Sequence, residues 1–218
     1  EYDAETNVDV HLIVDSSRSM MGEGKWSCAA MLAASLVHLA SRQRDAVGLS
    51  LFADRLLTHL RPRGTIDHQL ELLHTLAQAR ERPVADRLRV LHEIAELSPR
   101  RGLKVLISDF YFDEEELADA LAHFRHYQHE LILFHVLTEL EANMPLSGLI
   151  RFRDMETGEQ IVTQAEVIRD EFVAEVNRWQ TDLRRLCSAH DIDYVPIHNH
   201  MPLPLALREY FQLRSQLL

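Results

Sequence analysis

Two runs of buried-strand character constrain this chain more than anything else in it. "LKVLIS" (103–108) is almost wholly apolar, and "VDVHLIV" (8–14) nearly so. A strand with one wet face alternates apolar and polar residues, whereas an unbroken apolar strand needs cover on both faces. Helices supply such cover, and helical patterns stand between the strands. "KWSCAAMLAASLVHLASRQ" repeats apolar residues at spacings of three and four, and further helices are predicted over 66–79, 85–97, 114–127 and near 164–189, with a last one at the end of the chain. "AVGLSLFA", "ELILFHVL" and "IDYVPI" read as the remaining strands. Alternating strands and helices imply an α/β fold, with a mainly parallel central sheet and helices on both faces. "RLLTHLRP" follows "AVGLSLFA" after only a tight turn, which predicts one antiparallel edge strand. "IRFRDMETGEQIVT" breaks the rhythm and reads as a small hairpin near 149–163 within a single domain of 218 residues.

Bulk numbers remove several function classes. Net charge is −11 with no basic stripe, so nucleic acid and anionic membranes are poor partners. No apolar run approaches the ~20 residues that span a bilayer, and no secretory signal opens the sequence. The two cysteines, Cys28 and Cys187, each fall in a helical pattern, which suits reduced thiols. The expectation is a cytoplasmic domain.

The residues that could carry chemistry sit where strands stop. In an open parallel sheet, ligands bind beyond the carboxyl ends of the strands. "HLIVDSSRSMMGEGK" (11–25) places Asp15 at the end of the first strand, with Ser17 and Ser19 directly after it; Asp109 ends "LKVLIS" in the same way. If the two strands are neighbours, the carboxylates converge. An oxygen-only set of Asp15, Ser17, Ser19 and Asp109 suits Mg²⁺ or another hard divalent cation. Helix capping by Ser and Asp is the plainer alternative. Met20 and Met21 admit two readings, a partner-facing apolar patch beside the metal or a first helical turn packed under the sheet. "DEEE" (113–116) is the acidic first turn of a helix, favourable with the helix dipole, and borders the same edge.

Asp15-x-Ser17-x-Ser19 after a buried strand resembles the metal-ion-dependent adhesion site of von Willebrand factor type A (vWA) domains. "RDAVGLSLFADRL", "RRGLKVLISDF", "LILFHVLTELE", "PLSGLIRFRDMETGE" and "DYVPI" extend the likeness along the chain. Together they resemble the vWA-like portion of the bacterial family called domain of unknown function fifty-eight. That resemblance implies a Rossmann-like vWA fold, no known enzymatic activity, and association with a MoxR-type AAA+ ATPase in chaperone or assembly work. A full adhesion site also takes a threonine from the loop before the helix that leads to the second aspartate, but, counting back from "RRGL", that position falls at or near Ala85, which has no side-chain oxygen. Asp86 would substitute if the register slipped by one. Divalent binding is therefore expected to be weak.

Other signals are set aside. "GEGKWS" lacks the spacing of a phosphate-binding loop, and "HEIAE" misses the second histidine of the zinc signature HExxH. His123, His126 and His129 lie close together, but no further ligand is placed beside them, and most histidines alternate with charged residues as if on the surface. The leading expectation is a protein-binding module docking through the rim around Asp15. The alternative is a Mg-dependent phosphohydrolase using the same residues, for which no general base is placed beside Ser17 or Ser19.

Overall fold

The structure, a computed structural model, describes residues 8–22, 24–79, 87–98, 101–153 and 160–199, with 202, 204, 207 and 208. The chain opens with strand β1 (Asp9–Asp15), a single turn α1 (Arg18–Met21) and helix α2 (Lys25–Arg42). Strands β2 (Ala46–Phe52) and β3 (Leu56–Arg63) follow, then helices α3 (Ile66–Gln78) and α4 (Arg87–Glu96). Next come β4 (Leu103–Ser108), α5 (Glu114–His126), β5 (Glu130–Leu137) and the short α6 (Glu139–Asn143). A hairpin of β6 (Leu149–Arg153) and β7 (Gln160–Gln164), the long α7 (Ala165–Ala189) and β8 (Asp193–His198) complete the described elements. Of the expected terminal helix only 204, 207 and 208 are described, all helical, and Ala85 and Asp86 lie outside the described residues.

Six strands form the main sheet in the order β3-β2-β1-β4-β5-β8. All neighbours pair in parallel except β2 and β3, the antiparallel edge pair that the tight turn predicts. The chain works outward from β1 in one direction through β2 and β3, then returns to β1's other side with β4. β1 and β4 therefore flank the point where strand order reverses, and their carboxyl ends open on one crevice. Val14 lies opposite Ile107, which sets Asp15 beside Ser108.

Each face of the sheet has its own core. Val10, Leu12 and Val14 of β1 pack with Ala29, Leu32, Ala33, Leu36 and Val37 of α2, where small residues let the helix lie close. On the other face, Ile13, Leu106 and Leu133 meet α4 and α5 through Leu91, Ile94, Leu121 and Phe124, and α7 adds Leu183 and Cys187. With both faces covered, β4 is buried at every position, as its almost wholly apolar sequence requires. Both cysteines are free.

Four histidines depart from the surface reading made for most of them. His11, His68, His129 and His135 are buried. His11 sits inside an apolar strand, where its Nε2 lies 2.8 Å from Ser50 Oγ. Gly48 makes room for it, since a Cβ there would come within 2.5 Å of the imidazole. On the "HEIAE" helix His92 is half-buried, and its Nδ1 lies 2.9 Å from His123 Nδ1.

Candidate functional site

Asp15 brackets the ends of β1 and β4. Its carboxylate is fully buried. The Ser17 N–H donates to Oδ1 at 2.8 Å, and the Ser108 hydroxyl donates to Oδ2 at 2.7 Å. Ser16 ties the same turn to β2, with its N–H and its hydroxyl both donating to the Phe52 carbonyl. Ser17 precedes α1 without a side-chain cap bond; its hydroxyl lies 3.1 Å from that of Ser19. Asp15, Ser17 and Ser19 thus come together, as their spacing predicts.

Asp109 follows Ser108 but is turned to a different partner. Ser108 Oγ accepts the Phe110 N–H at 3.1 Å, and Phe110 adopts a left-handed backbone with φ +50. A bulky side chain in that region costs ~1–2 kcal/mol. The turn holds Asp109 inside the protein and puts Tyr111 at the surface, 47% exposed.

The partner of Asp109 is Lys25, the first residue of α2, which is only 4% exposed. Its Nζ lies 3.2 Å from Asp109 Oδ2 and 2.5 Å from Glu141 Oε1, and 5.0 Å from the centre of the Tyr111 ring. An ammonium has three N–H groups; two carboxylates and an aromatic face surround this one. Glu141 is held in turn by a capping box. The Thr138 N–H and hydroxyl donate to Oε2 at 2.7 and 3.0 Å, the Glu141 N–H donates to Thr138 Oγ1 at 3.0 Å, and the Tyr111 hydroxyl donates to Oε1 at 2.9 Å.

Aromatic rings close the side toward β8. Tyr111 stacks on Trp179 of α7 at 4.9 Å, and Trp179 meets His135 edge-on at 4.6 Å. His135 Nδ1 is 2.6 Å from the Tyr194 hydroxyl. Burial, then the neighbouring Lys25 charge, pushes the His135 pKa down to about 3 from the usual 6.5, so the ring is neutral at ordinary pH. Burial also raises the pKa of the Tyr194 hydroxyl, which keeps its proton.

These geometries bear on the expected metal. Among the described residues, no three His, Cys, Asp or Glu side chains gather as a ligand set. Asp109 already holds an ammonium. A divalent ion about 4 Å from that ammonium meets a repulsion of about 8 kcal/mol at an effective dielectric constant of ~20. Of the four expected ligands, Asp109 is thus engaged by Lys25, whose ammonium competes with any divalent ion for that carboxylate.

Met20 is corrected from a partner-facing residue to a core residue: it has no exposure and packs with β1 and α2. Met21 is half-buried at the rim. Sequence reasoning misses Lys25, Glu141, Tyr111 and Trp179. For Glu141 a signal exists, since "TELE" is a capping box of Thr138 and Glu141. Lys25 reads in the sequence only as a failed phosphate-loop lysine.

The sheet order and the strand-end array define a Rossmann-like α/β chain whose polar groups collect at the reversal of strand order. A family profile described as "Protein of unknown function DUF58" matches residues 1–182, and the chain belongs to that family. No curated protein matches it. Among solved structures it is similar to the conserved hypothetical protein BatB from Bacteroides thetaiotaomicron, at 18% identity and TM-score 0.60, over 96% of this chain and 100% of that one. It is also similar to an aerotolerance-related membrane protein from Bacteroides fragilis carrying multiple mutations to serines, at 20% identity and TM-score 0.59, over 94% and 98%. The pilus adhesin SpaC from Lactobacillus rhamnosus GG matches at 10% identity and TM-score 0.59, over 96% of this chain and 30% of that one. At these identities the likeness is one of fold. Among the described residues no helix is long and apolar enough to cross a membrane.

Proposed function

We propose that this chain is a non-enzymatic, vWA-like docking module that engages a protein partner through the carboxyl edge of its sheet. A MoxR-type AAA+ ATPase, in the cytoplasm, is the partner of first choice. The observation that carries this reading is the division of that edge into a closed polar floor and an open rim. In the floor, the Ser17 hydroxyl pairs with that of Ser19, a second hydroxyl rather than a base that would activate it as a nucleophile. Around it stand Met21, Tyr111, Glu139 and the acidic first turn of α5 capped by Asp113. Part-apolar groups ringed by charge match the anatomy of a protein interface, and the acidic rim calls for basic side chains on the partner. The ATPase identity rests on the family resemblance alone.

The test is a pull-down with a MoxR-type ATPase from the same organism. Tyr111→Ala and Met21→Asp should weaken capture, while Arg101→Ala at the opposite end of the sheet should not. Capture that survives both rim changes and is lost with Arg101→Ala refutes the docking face.

A further inference from the structure

We infer that the ammonium of Lys25 is this chain's built-in cation, filling the carboxylate crevice that a divalent ion would otherwise take, so that the strand-end edge is assembled without a metal. The inference deepens the proposed function and rests on it only for the importance of this edge.

Three loops meet at Lys25. It comes from the segment after β1, Asp109 from the end of β4, and Glu141 from the turn after β5. A bound metal would do the same work, pinning loops from adjacent strands by their oxygens. Here the bridging charge is part of the chain, almost fully buried, and held by two carboxylates and the Tyr111 ring. Tethering gives it a high effective concentration that no free ion matches at ordinary levels. The remaining negative charge is shared out by donors: the Tyr111 hydroxyl and the Thr138 N–H and hydroxyl all donate to Glu141. Pairing with a flexible lysine also explains the glycine before it. Gly24, at φ +81, adopts the left-handed conformation that starts α2 with Lys25 facing the crevice.

The experiment follows thermal unfolding and calorimetric binding of Mg²⁺ and Mn²⁺ with the isolated chain, in wild type, Lys25→Met and Lys25→Met/Asp109→Asn. Wild-type Tm should be the same in EDTA, Mg²⁺ and Mn²⁺, with no binding heat. Lys25→Met removes the cation while keeping most of the volume; its Tm should fall in EDTA and recover by about 5 °C in saturating Mn²⁺. Adding Asp109→Asn should abolish that recovery. Saturable Mg²⁺ or Mn²⁺ binding by wild type, lost in Asp15→Ala, overturns the inference. So does a folded Lys25→Met chain that ignores both ions. If Lys25→Met folds in neither condition, the decision passes to the Mn²⁺ spin-resonance signal with wild type: an undiminished free-ion signal supports the inference, and quenching reversed by Asp109→Asn overturns it. No partner is present in these measurements, so a failed pull-down does not alter their outcome, and failure here does not alter the pull-down.

Discussion

Ser108→Ala should be among the more damaging single-atom deletions in this protein. The hydroxyl donates to the buried Asp15 carboxylate at 2.7 Å and accepts the buried Phe110 N–H at 3.1 Å. Its loss leaves a charged group short of a donor, at about 1.5–3 kcal/mol, and a buried N–H short of its acceptor, at about 1–3 kcal/mol. The two share one atom and one turn, so the sum is not additive, and about 3–4 kcal/mol is the expected loss. For a chain of this length that lowers Tm by roughly 10 °C. Urea unfolding followed by far-UV circular dichroism measures it, with an unchanged m-value expected because the native surface is the same. Ser188→Ala, on the exposed side of α7, is the control and should stay within about 0.5 kcal/mol. A Ser108→Ala loss under about 1 kcal/mol refutes the idea that this bond brackets β1 to β4.

Acid should unfold the protein. Burial holds His11 well below its usual value, His129 at about 4 and His135 at about 3. Between those values and 6.5 the unfolded chain binds more protons than the folded one, so stability falls as pH drops through that window, by up to about 4 kcal/mol per pH unit for three such groups. Urea midpoints that are flat from pH 7 to about 4.5 would contradict this. Lys104 acts at the alkaline end: burial lowers its pKa to about 8 from 10.5, so stability should rise as pH climbs from about 8 toward 10, and Lys104→Met should flatten that rise. Met20→Asp should unfold the chain, since it puts a charge in the core, whereas Met21→Asp should leave Tm within a few degrees. Assays of phosphate esters and nucleotides should show no turnover; activity lost in Ser17→Ala would favour the phosphohydrolase alternative.

Sequence reasoning reaches the sheet because parallel strands buried on both faces leave almost wholly apolar runs such as Leu103–Ser108, and the antiparallel edge because only a tight turn separates β2 from β3. It reaches Asp15 and Asp109 because they end such runs. It does not reach Lys25. A lysine opening a helix reads as solvated, and what buries it is a pair of carboxylates 84 and 116 positions away along the chain, which no local pattern reveals. Met20 is ambiguous for a different reason: α1 is one turn long, too short for periodicity to say which side faces in. His11 and His135 are the legible pair among the buried histidines, since an imidazole inside "VDVHLIV" or "ELILFHVL" has nowhere to go but inward.

The central place of β1 has a consequence for biosynthesis. Its second flank is sealed only by β4, and the Ser108–Asp15 bond that closes the pair joins residues 93 positions apart. At ~5–20 residues per second, a ribosome needs about 5–20 s after making Asp15 before Ser108 exists at all. Once Arg63 has been made and until Ser108 is, the emerging β1–β2–β3 unit offers an apolar strand with one bare hydrogen-bonding edge, which is the form of nascent chain that sticks to its neighbours. Any holding factor in the cell that shields such edges would find its substrate here, at the strand that later lies in the middle of the finished sheet.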